Sequence, residues 1–454
     1  MAGEIYYPNI TGAFDWDTLL QYILQPDNQR IADLQNQIQN IDKQIQYFQQ
    51  VQAQLNDLYS YTSGITKENW FNKKAVNNTN PDVADVSIID NTIPDYSATA
   101  KVNKVAQIEI DYFTKEFSSP DEKVGKDVSL TFQYQTASGK TIKKTINISS
   151  NDTLDEIIDK INKDSDLSRY IHAYAIYTGS GYQLALMETG VENSNVETSS
   201  GSRAIDVSAS NDALGDYKNL QEAKNSELQI GSNTYTSAGY TFKNVLPGLE
   251  VKVKDTGTFS VNITTDYNAI AKTFTDMVDK VNQIIETIND LTKITKLTDT
   301  DVEPAKVQDS LVLKELKIRF QDIFMDLLDK TKDYNIIDFN TDGTISVNTD
   351  NLIKFLKNTD KSDWDVLYQT MEKVKKLANY AANDGYVGLE IQSLQNREER
   401  LNDRISDLQQ QLYEKQLYYR KYFAHVETYL AQIKDVQNTV NSILIAQLKN
   451  ANND

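Results

Sequence analysis

From Asp27 to Ser63 the chain carries neither Gly nor Pro, and its apolar residues fall in a regular stripe. Ile31, Leu34, Ile38, Ile41, Ile45 and Phe48 recur at alternating steps of three and four, with mostly Gln, Asn and Asp between them. That spacing is the heptad seam of a coiled coil. Val51, Leu55 and Leu58 continue the stripe after one short step, a stammer-like irregularity at Phe48 to Val51. The other end repeats the pattern. After Gly388 there is no Gly or Pro, and Leu401, Ile405, Leu408, Leu412, Tyr419, Tyr422, Val426, Tyr429, Ile433, Val436, Val440 and Ile443 keep the alternation, with Lys415 interrupting it. At a rise of about 1.5 Å per residue this segment reaches on the order of 80 Å. Isolated helices with so polar a face are marginal in water and need a partner over the stripe. Each terminal helix is the obvious partner of the other. Off the seam, Leu19, Leu20, Ile23, Leu24, Leu417, Leu430, Leu444 and Leu448 form a second apolar surface that a partner subunit is expected to cover.

Between these ends the period changes to two. From about Phe71 to Asp266 the chain is rich in Thr, Ser, Val, Ile and Tyr in short alternating runs. Strands are predicted at 85–89, 97–102, 107–111, 171–177, 182–187, 228–230, 235–237, 249–253 and 259–263. The runs 127–134 and 140–147 flank Ala137-Ser-Gly139 as a hairpin. Residues 152–161 read as a short amphipathic helix with Asp152 at its N-cap, and 191–219 as loop. Helical patterning resumes over 267–297 and again over 310–330. The predicted fold class is therefore α+β multidomain: long N- and C-terminal helices pair as a coiled-coil stalk, with β-rich head domains inserted between them. The corresponding segments are terminal helical legs at 1–35 and 425–454, and a helical stalk at 36–70 and 267–424. A first β-rich head domain takes 71–116 and 222–266, and a second, outer one takes 117–221.

Composition narrows the function. A net charge of −19 over 454 residues argues against nucleic acid and against anionic membrane, both of which need clustered Lys and Arg. No stretch is apolar enough to span a bilayer. The opening residues have neither a basic start nor an apolar run, so any export is expected to proceed without a cleaved signal peptide. The absence of cysteine removes disulfides, thiolate metal sites and cysteine nucleophiles together. With His172 and His425 as the only histidines, a Ser-His-Asp site or a multi-histidine zinc site is nearly out of reach.

Asp338-Phe-Asn-Thr-Asp-Gly-Thr-Ile-Ser is the most chemical-looking stretch. It fits the opening positions of an EF-hand loop, but Thr349 stands where the bidentate Glu belongs, and an Asp-Gly hairpin turn is the better reading. No paired carboxylates stand out in a setting that would raise a pKa. The expectation is no catalytic residue, cofactor or metal, and a structural protein rather than an enzyme. The 26 tyrosines suit strands and contact surfaces, and leave glycan binding as a lesser alternative.

The order of the motifs resembles one family, the bacterial flagellar filament caps, also called hook-associated protein 2. Gly12-Ala-Phe-Asp-Trp-Asp-Thr-Leu-Leu-Gln-Tyr-Ile-Leu24, then Pro26 and the Gln-rich helix, resembles the family's opening segment, with Phe14 and Trp16 where smaller aliphatic residues are usual. Trp70-Phe-Asn-Lys-Lys-Ala75 resembles the exit into the first β domain. Thr153-Leu-Asp-Glu-Ile-Ile-Asp-Lys-Ile-Asn162 resembles the helix of a flagellin-type insertion repeat. Asn244-Val-Leu-Pro-Gly-Leu-Glu-Val251 with Asp255-Thr-Gly257 and Val261-Asn-Ile-Thr-Thr-Asp266 resembles a second one. Asp342-Gly-Thr-Ile-Ser-Val347 sits at the family's Asp-Gly strand turn, and the closing heptads match its last helix.

The resemblance implies a homo-oligomeric ring, pentamer or hexamer, at the extracellular tip of the flagellum. Such a ring promotes folding and insertion of exported flagellin and prevents its loss. It implies passage through the flagellar type III export machinery, and an export chaperone on the C-terminal helix. The coiled-coil or oligomer seam is then Ile31, Leu34, Ile38, Ile41, Ile45, Phe48, Leu401, Ile405, Leu408, Leu412, Tyr419, Tyr422 and Val426. The filament-contacting ends are Phe14, Trp16, Leu19, Leu20, Ile23, Ile433, Val436, Val440, Ile443 and Leu444. The alternatives are another flagellar axial protein at the hook–filament junction, or an adhesin whose β head binds host glycan, mucin or cell surface.

Overall fold

The computed structural model describes residues 12, 14–194, 203–296, 302–303, 305–307 and 310–451. The first eleven and last three residues of the predicted legs lie outside them, as does Leu297. In chain order, α1 (Trp16–Ser63) and the short α2 (Lys67–Phe71) come first. Strands β1 (Lys74–Asn78), β2 (Ala84–Ile88), β3 (Tyr96–Lys104), β4 (Ile110–Phe113), β5 (Val128–Gln135) and β6 (Thr141–Ile148) lead to α3 (Leu154–Asn162). Then follow β7 (Ile171–Tyr177), β8 (Tyr182–Glu188), β9 (Ile205–Ala209), β10 (Tyr217–Gln221), β11 (Ser226–Ile230), β12 (Asn233–Ser237), β13 (Thr241–Lys243), β14 (Leu249–Val253) and β15 (Gly257–Thr265). The chain closes with α4 (Tyr267–Thr292), β16 (Thr295–Lys296), β17 (Val302–Glu303), α5 (Leu311–Lys330), β18 (Ile337–Phe339), β19 (Ile345–Val347), α6 (Thr349–Asn358), α7 (Asp365–Asn379) and α8 (Tyr386–Ala451).

Two compact units result. One holds the residues up to Lys67 and from Ala271 onward, the other Glu68–Ile270. In the helical unit α1 changes neighbours along its length. Ile31 packs with Ile405 and Leu408 of α8 alone, with Leu34 and Ile38 only half-buried. From Phe48 onward the stripe is sealed, and Val51, Leu55 and Leu58 have no exposed surface. Polar residues flanking this half bond inward as well. Gln52 donates to the Ala382 carbonyl at 2.6 Å, Gln54 to Thr287 Oγ1 at 2.9 Å, and Tyr61 to the Thr273 carbonyl at 3.1 Å. The short step at Phe48 to Val51 thus falls where the stripe becomes fully sealed. A π-helical turn, Tyr380–Asp384, joins α7 to α8. Gly388 is required there, because an added Cβ would lie 2.3 Å from the Asn383 carbonyl oxygen.

The Asp338 stretch forms the β18–β19 hairpin. Gly343 has φ +86°, and the Asp342 carboxylate accepts from Thr344 N at 2.9 Å and Thr344 Oγ1 at 2.6 Å. Thr349 opens α6 behind an Asn348 N-cap that accepts from Asn351 N at 3.0 Å. The stretch is therefore a turn running into a helix, and α6 and α7 are two further helices that the seam pattern did not single out.

The second unit contains two β modules, each a pair of antiparallel sheets over one core. The inner module packs the sheet β1-β15-β3-β11-β12 with β13-β14-β2 around Val102, Leu228, Phe242, Val251, Phe259 and Ile263. The outer module packs β10-β4-β8-β7 with β6-β5-β9 and α3 around Leu130, Phe132, Ile157, Ile171, Leu186 and Ile205. Alternation builds both: β5 reads Val128, Leu130, Phe132, Tyr134 inward with Ser129, Thr131, Gln133 and Gln135 between them.

Three readings are corrected. Part of 191–219 is strand, β9 and β10, because Ile205 and Val207 alternate into the outer core. The cap of α3 is Thr153, not Asp152. Thr153 and Glu156 form a reciprocal capping box, while Asp152 accepts from Ser149 N and pairs with Lys160. Paired carboxylates do exist: Glu109, Asp111 and Glu188 are buried together. Tertiary packing brings β4 and β8 side by side there, which spacing along the chain does not reveal.

The change of neighbours along α1 has an energetic consequence. Leu55→Ala empties a sealed site and is expected to cost about 3 kcal/mol. Ile38→Ala, on the half-buried stretch, is expected to cost about 1 kcal/mol. Urea titration followed at the helical circular-dichroism band measures both, and equal costs would remove the distinction between pair and bundle.

Candidate functional site: the paired terminal helices

With no catalytic constellation suggested by the sequence, the residues to follow are those of the two ends. Asp15 starts α1: its carboxylate accepts from Thr18 N at 3.0 Å and Thr18 Oγ1 at 2.7 Å, bonds that hold it below the usual carboxylate range. From the first helical residue on, Trp16, Leu20 and Leu24 form a buried cluster with Phe423 of α8. Ile23, Leu412, Tyr419, Val426 and Leu430 pack around it, half-buried. The Trp16 and Phe423 rings stack with centroids 4.8 Å apart and 25° between planes, and Phe14 lies 5.1 Å from Trp16. The indole Nε1 donates to Glu427 Oε1, which satisfies a buried donor and a buried carboxylate at once.

Two predicted contacts therefore change role. Trp16 and Leu20 are expended inside the chain's own helix pair, so they are not free filament contacts. The reason is that α1 starts opposite Phe423–Glu427, and the aromatic cluster closes the end of the pair. Of the other predicted ends, Phe14 and Leu19 are exposed and Ile23 is half-buried.

On α8 the seam also departs from the predicted register. Ile405, Leu408, Leu412, Tyr419, Phe423, Val426 and Leu430 face α1. Tyr422 does not; it is 53% exposed, and Phe423 takes the seam place. The packed positions step by four on both sides of Tyr419, counting from Lys415, so the stripe turns locally toward the 3.6-residue period of a straight helix. Lys415 itself is bridged: its Nζ lies 2.7 Å from Asp27 Oδ2, one residue after Pro26. Leu401 is half-buried, and Ile41, Ile45 and Phe48 are buried.

Past Leu430 the pair ends and α8 continues. Ile433, Val436, Val440, Ile443, Leu444, Ile445 and Leu448 are all about half or more exposed. At about 1.5 Å per residue the segment from Ile433 to Leu448 presents an apolar stripe over 20 Å long. Tyr413, Leu417, Tyr418, Tyr422 and Tyr429 add exposed side chains along the preceding turns. Tyrosine in such numbers suits a protein interface. Sequence reasoning found the stripe but missed Phe423, which stands in the run Tyr418-Tyr419-Arg420-Lys421-Tyr422-Phe423, where several aromatics compete for one position.

Comparison with known proteins places these features in a family. Residues 12–109 match the family model for the flagellar hook-associated protein 2 N-terminus, 223–435 its C-terminus, and 129–168 the flagellin hook IN motif. The chain is 30% identical over 418 residues to the flagellar hook-associated protein 2 of Aquifex aeolicus, covering 91% of this chain and 90% of that protein. Its fold is similar to the crystal structure of the D1-D2-D3 domains of the flagellar cap protein FliD from Escherichia coli. That match has a TM-score of 0.55 and 18% identity, and covers 77% of this chain and 99% of that one.

Closure of the helix pair by Trp16 can be tested by grading the side chain. Trp16→Ala is expected to cost about 3 kcal/mol of local stability, and Trp16→Phe, which keeps the stack but loses the Glu427 bond, about 1 kcal/mol. Hydrogen exchange at residues 16–24, measured against residues 48–58, should rise in that order. No difference between the variants and the parent would place the end of the pair elsewhere.

Proposed function

The chain belongs to the flagellar hook-associated protein 2 family, the flagellar cap proteins, and from that membership we propose that it forms the homo-oligomeric cap at the filament tip. In this reading the cap is a pentameric or hexameric ring beneath which exported flagellin folds and inserts. The role is structural, not enzymatic. The observation that carries the proposal is the exposed apolar stripe of α8 from Ile433 to Leu448, which outruns the helix that covers the rest of the seam. Burying one such aliphatic side chain is worth about 1.5–3 kcal/mol. Several of them on one face form a docking segment for the helical subunits of a filament or for neighbouring cap subunits. Ile433, Val436, Val440, Ile443 and Leu444 are the residues assigned to that contact, with Phe14 and Leu19 beside the opening of α1.

The same stripe supports two earlier steps. It is an adhesive surface before assembly, so an export chaperone that covers it would keep the subunit from associating in the cell. A stalk whose halves come from opposite ends of the chain cannot form until the last residues have left the export channel, which suits a subunit that passes unfolded and folds at the tip. The family match is to the cap proteins, and the hook–filament junction reading gives way to it.

Replacing Ile433, Val436, Val440 and Ile443 together by Asn tests the proposal. The expected outcome is short or absent filaments with flagellin lost to the medium, while the melting of the purified subunit stays unchanged. Filaments of normal length from cells carrying this variant would sink it.

A further inference from the structure

The outer β module carries a group of titratable side chains that the cap reading leaves without a role. Glu109, Asp111 and Glu188 are at most 1% exposed. Glu188 accepts from Glu109 N at 2.8 Å, from Tyr134 OH at 3.1 Å and from Ser194 Oγ. Asp111 accepts from Tyr217 OH at 2.6 Å and Asn219 Nδ2 at 2.8 Å. Glu109 Oε2 accepts from the backbone amides of Ala204 and Ile205, and its other oxygen lies 3.5 Å from Asn219 Nδ2. Tyr170 stacks on Tyr134 at 5.1 Å. The cation facing the group among the described residues is Arg203, whose guanidinium lies 5.3 Å over the Tyr217 ring and is felt by Asp111. Three acids with one peripheral cation cannot all ionise without severe cost in a buried site.

Their position matters as much as their charge. The chain enters the outer module through residues 105–109 and leaves it through 221–226. These two passages run side by side: Gln107 and Lys224 exchange backbone bonds at 2.9 Å, Ala106 N donates to Ser226 Oγ at 2.8 Å, and Gln221 Nε2 donates to the Ile108 carbonyl at 2.8 Å. Glu109 is the last residue of the entering passage. Its carboxyl grips the start of β9, and its amide is gripped by the end of β8.

We propose that this neck is a proton-held latch: a proton retained by Glu109 and shared with Asp111 keeps the outer β module pinned to its entering strand, and loss of that proton in alkaline medium releases it. Glu109 is the member that keeps the proton: its two amide donors meet the same oxygen, and the other has only the 3.5 Å contact to Asn219, whereas Glu188 and Asp111 each accept a close bond on both oxygens, one of them from a hydroxyl. Burial, then the Asp111 charge, pushes the Glu109 carboxyl up to about 8, against two amide donors that oppose the shift. Burial raises Asp111 and Glu188 as well. Tyr134 and Tyr217 are pushed upward by burial and by the neighbouring acids, so they stay protonated and keep donating. A carboxyl raised in the folded state binds more protons folded than unfolded. Stability is therefore complete below the ordinary carboxylate value and declines as pH rises toward 8. The exposed aspartates held below their usual range, Asp90, Asp127 and Asp342 among them, act in the opposite sense at acid pH, outside this window.

Glu109→Gln is the informative variant. The amide keeps an oxygen for Ala204 and Ile205 and a donor for Asp111, yet does not titrate. Hydrogen exchange is measured on the full chain at about pH 6 and about pH 9, with peptides of α4 as the internal reference. Relative protection of β4, β9 and β10 in the parent is expected to fall about tenfold or more between the two, and to stay constant in the variant. An infrared band of a protonated carboxyl, present in the parent at neutral pH and lost on alkalinisation, gives a second reading that needs no variant. Equal pH slopes in parent and variant, or no such band at neutral pH, would overturn the latch.

Discussion

An amphipathic helix cannot hold itself together in water, and the helical unit of this chain depends on how its two terminal stripes are covered. The seam residues of α1 and α8 are about 400 positions apart, as Trp16 and Glu427 are, so their contact closes almost the whole chain into one loop. Closure entropy grows only slowly with loop length. A large β insertion between the two halves of a stalk is therefore thermodynamically tolerable, provided the stalk interface is strong at its inner end. It is: Phe48, Val51, Leu55 and Leu58 are sealed in a bundle, whereas the outer stretch is a simple pair. Stability is concentrated where the loop is closed, and the covering is thinner along the simple pair at Leu34 and Ile38.

That gradient explains what was legible in the sequence. The 3-4 alternation identified both helices and their partnership, because a seam is a local, periodic signal. The step at Phe48 to Val51 was legible as an irregularity, although only packing shows that the stripe is fully sealed from there on. The β modules were legible strand by strand wherever alternation was clean, as in β5. They failed at β9, where two alternating residues are embedded in a polar stretch. Phe423 against Tyr422 was beyond the pattern, since neighbouring aromatics cannot be ranked by spacing when the stripe itself shifts from one helical period toward another. The acid cluster was out of reach altogether. Glu109 and Asp111 alternate as a solvated face would, and their burial depends on Glu188, Tyr134 and Tyr217 arriving from other strands.

The two kinds of buried polarity in the chain serve different ends. In the outer module, Glu188 and Asp111 are each given several donors, so the network is satisfied and rigid. At the start of the helix pair, Trp16 and Glu427 satisfy one another at the edge of an aromatic cluster that would otherwise end in an exposed indole. In both places a buried carboxylate is placed by a donor from a distant part of the chain, which ties the local geometry to completion of the whole fold.

Lys415 and Asp27 answer a different problem. A long antiparallel seam of Ile and Leu could slide by a heptad with little change in buried area. The ion pair lies between the Trp16–Phe423 cluster and the Ile31–Ile405–Leu408 cluster, and both partners are about a third exposed. At that exposure the bridge itself is worth no more than about 1 kcal/mol. A slip of seven residues, however, would set Asp27 at the level of Leu408 or Tyr422 and leave Lys415 without its partner in the seam. Uncompensated charge at a half-buried seam costs more than the bridge contributes. The polar break in the stripe thus adds little stability and instead selects one register. A fixed register is what sets how many turns of α8 run past the start of α1, and so how much apolar helix is left to engage a partner.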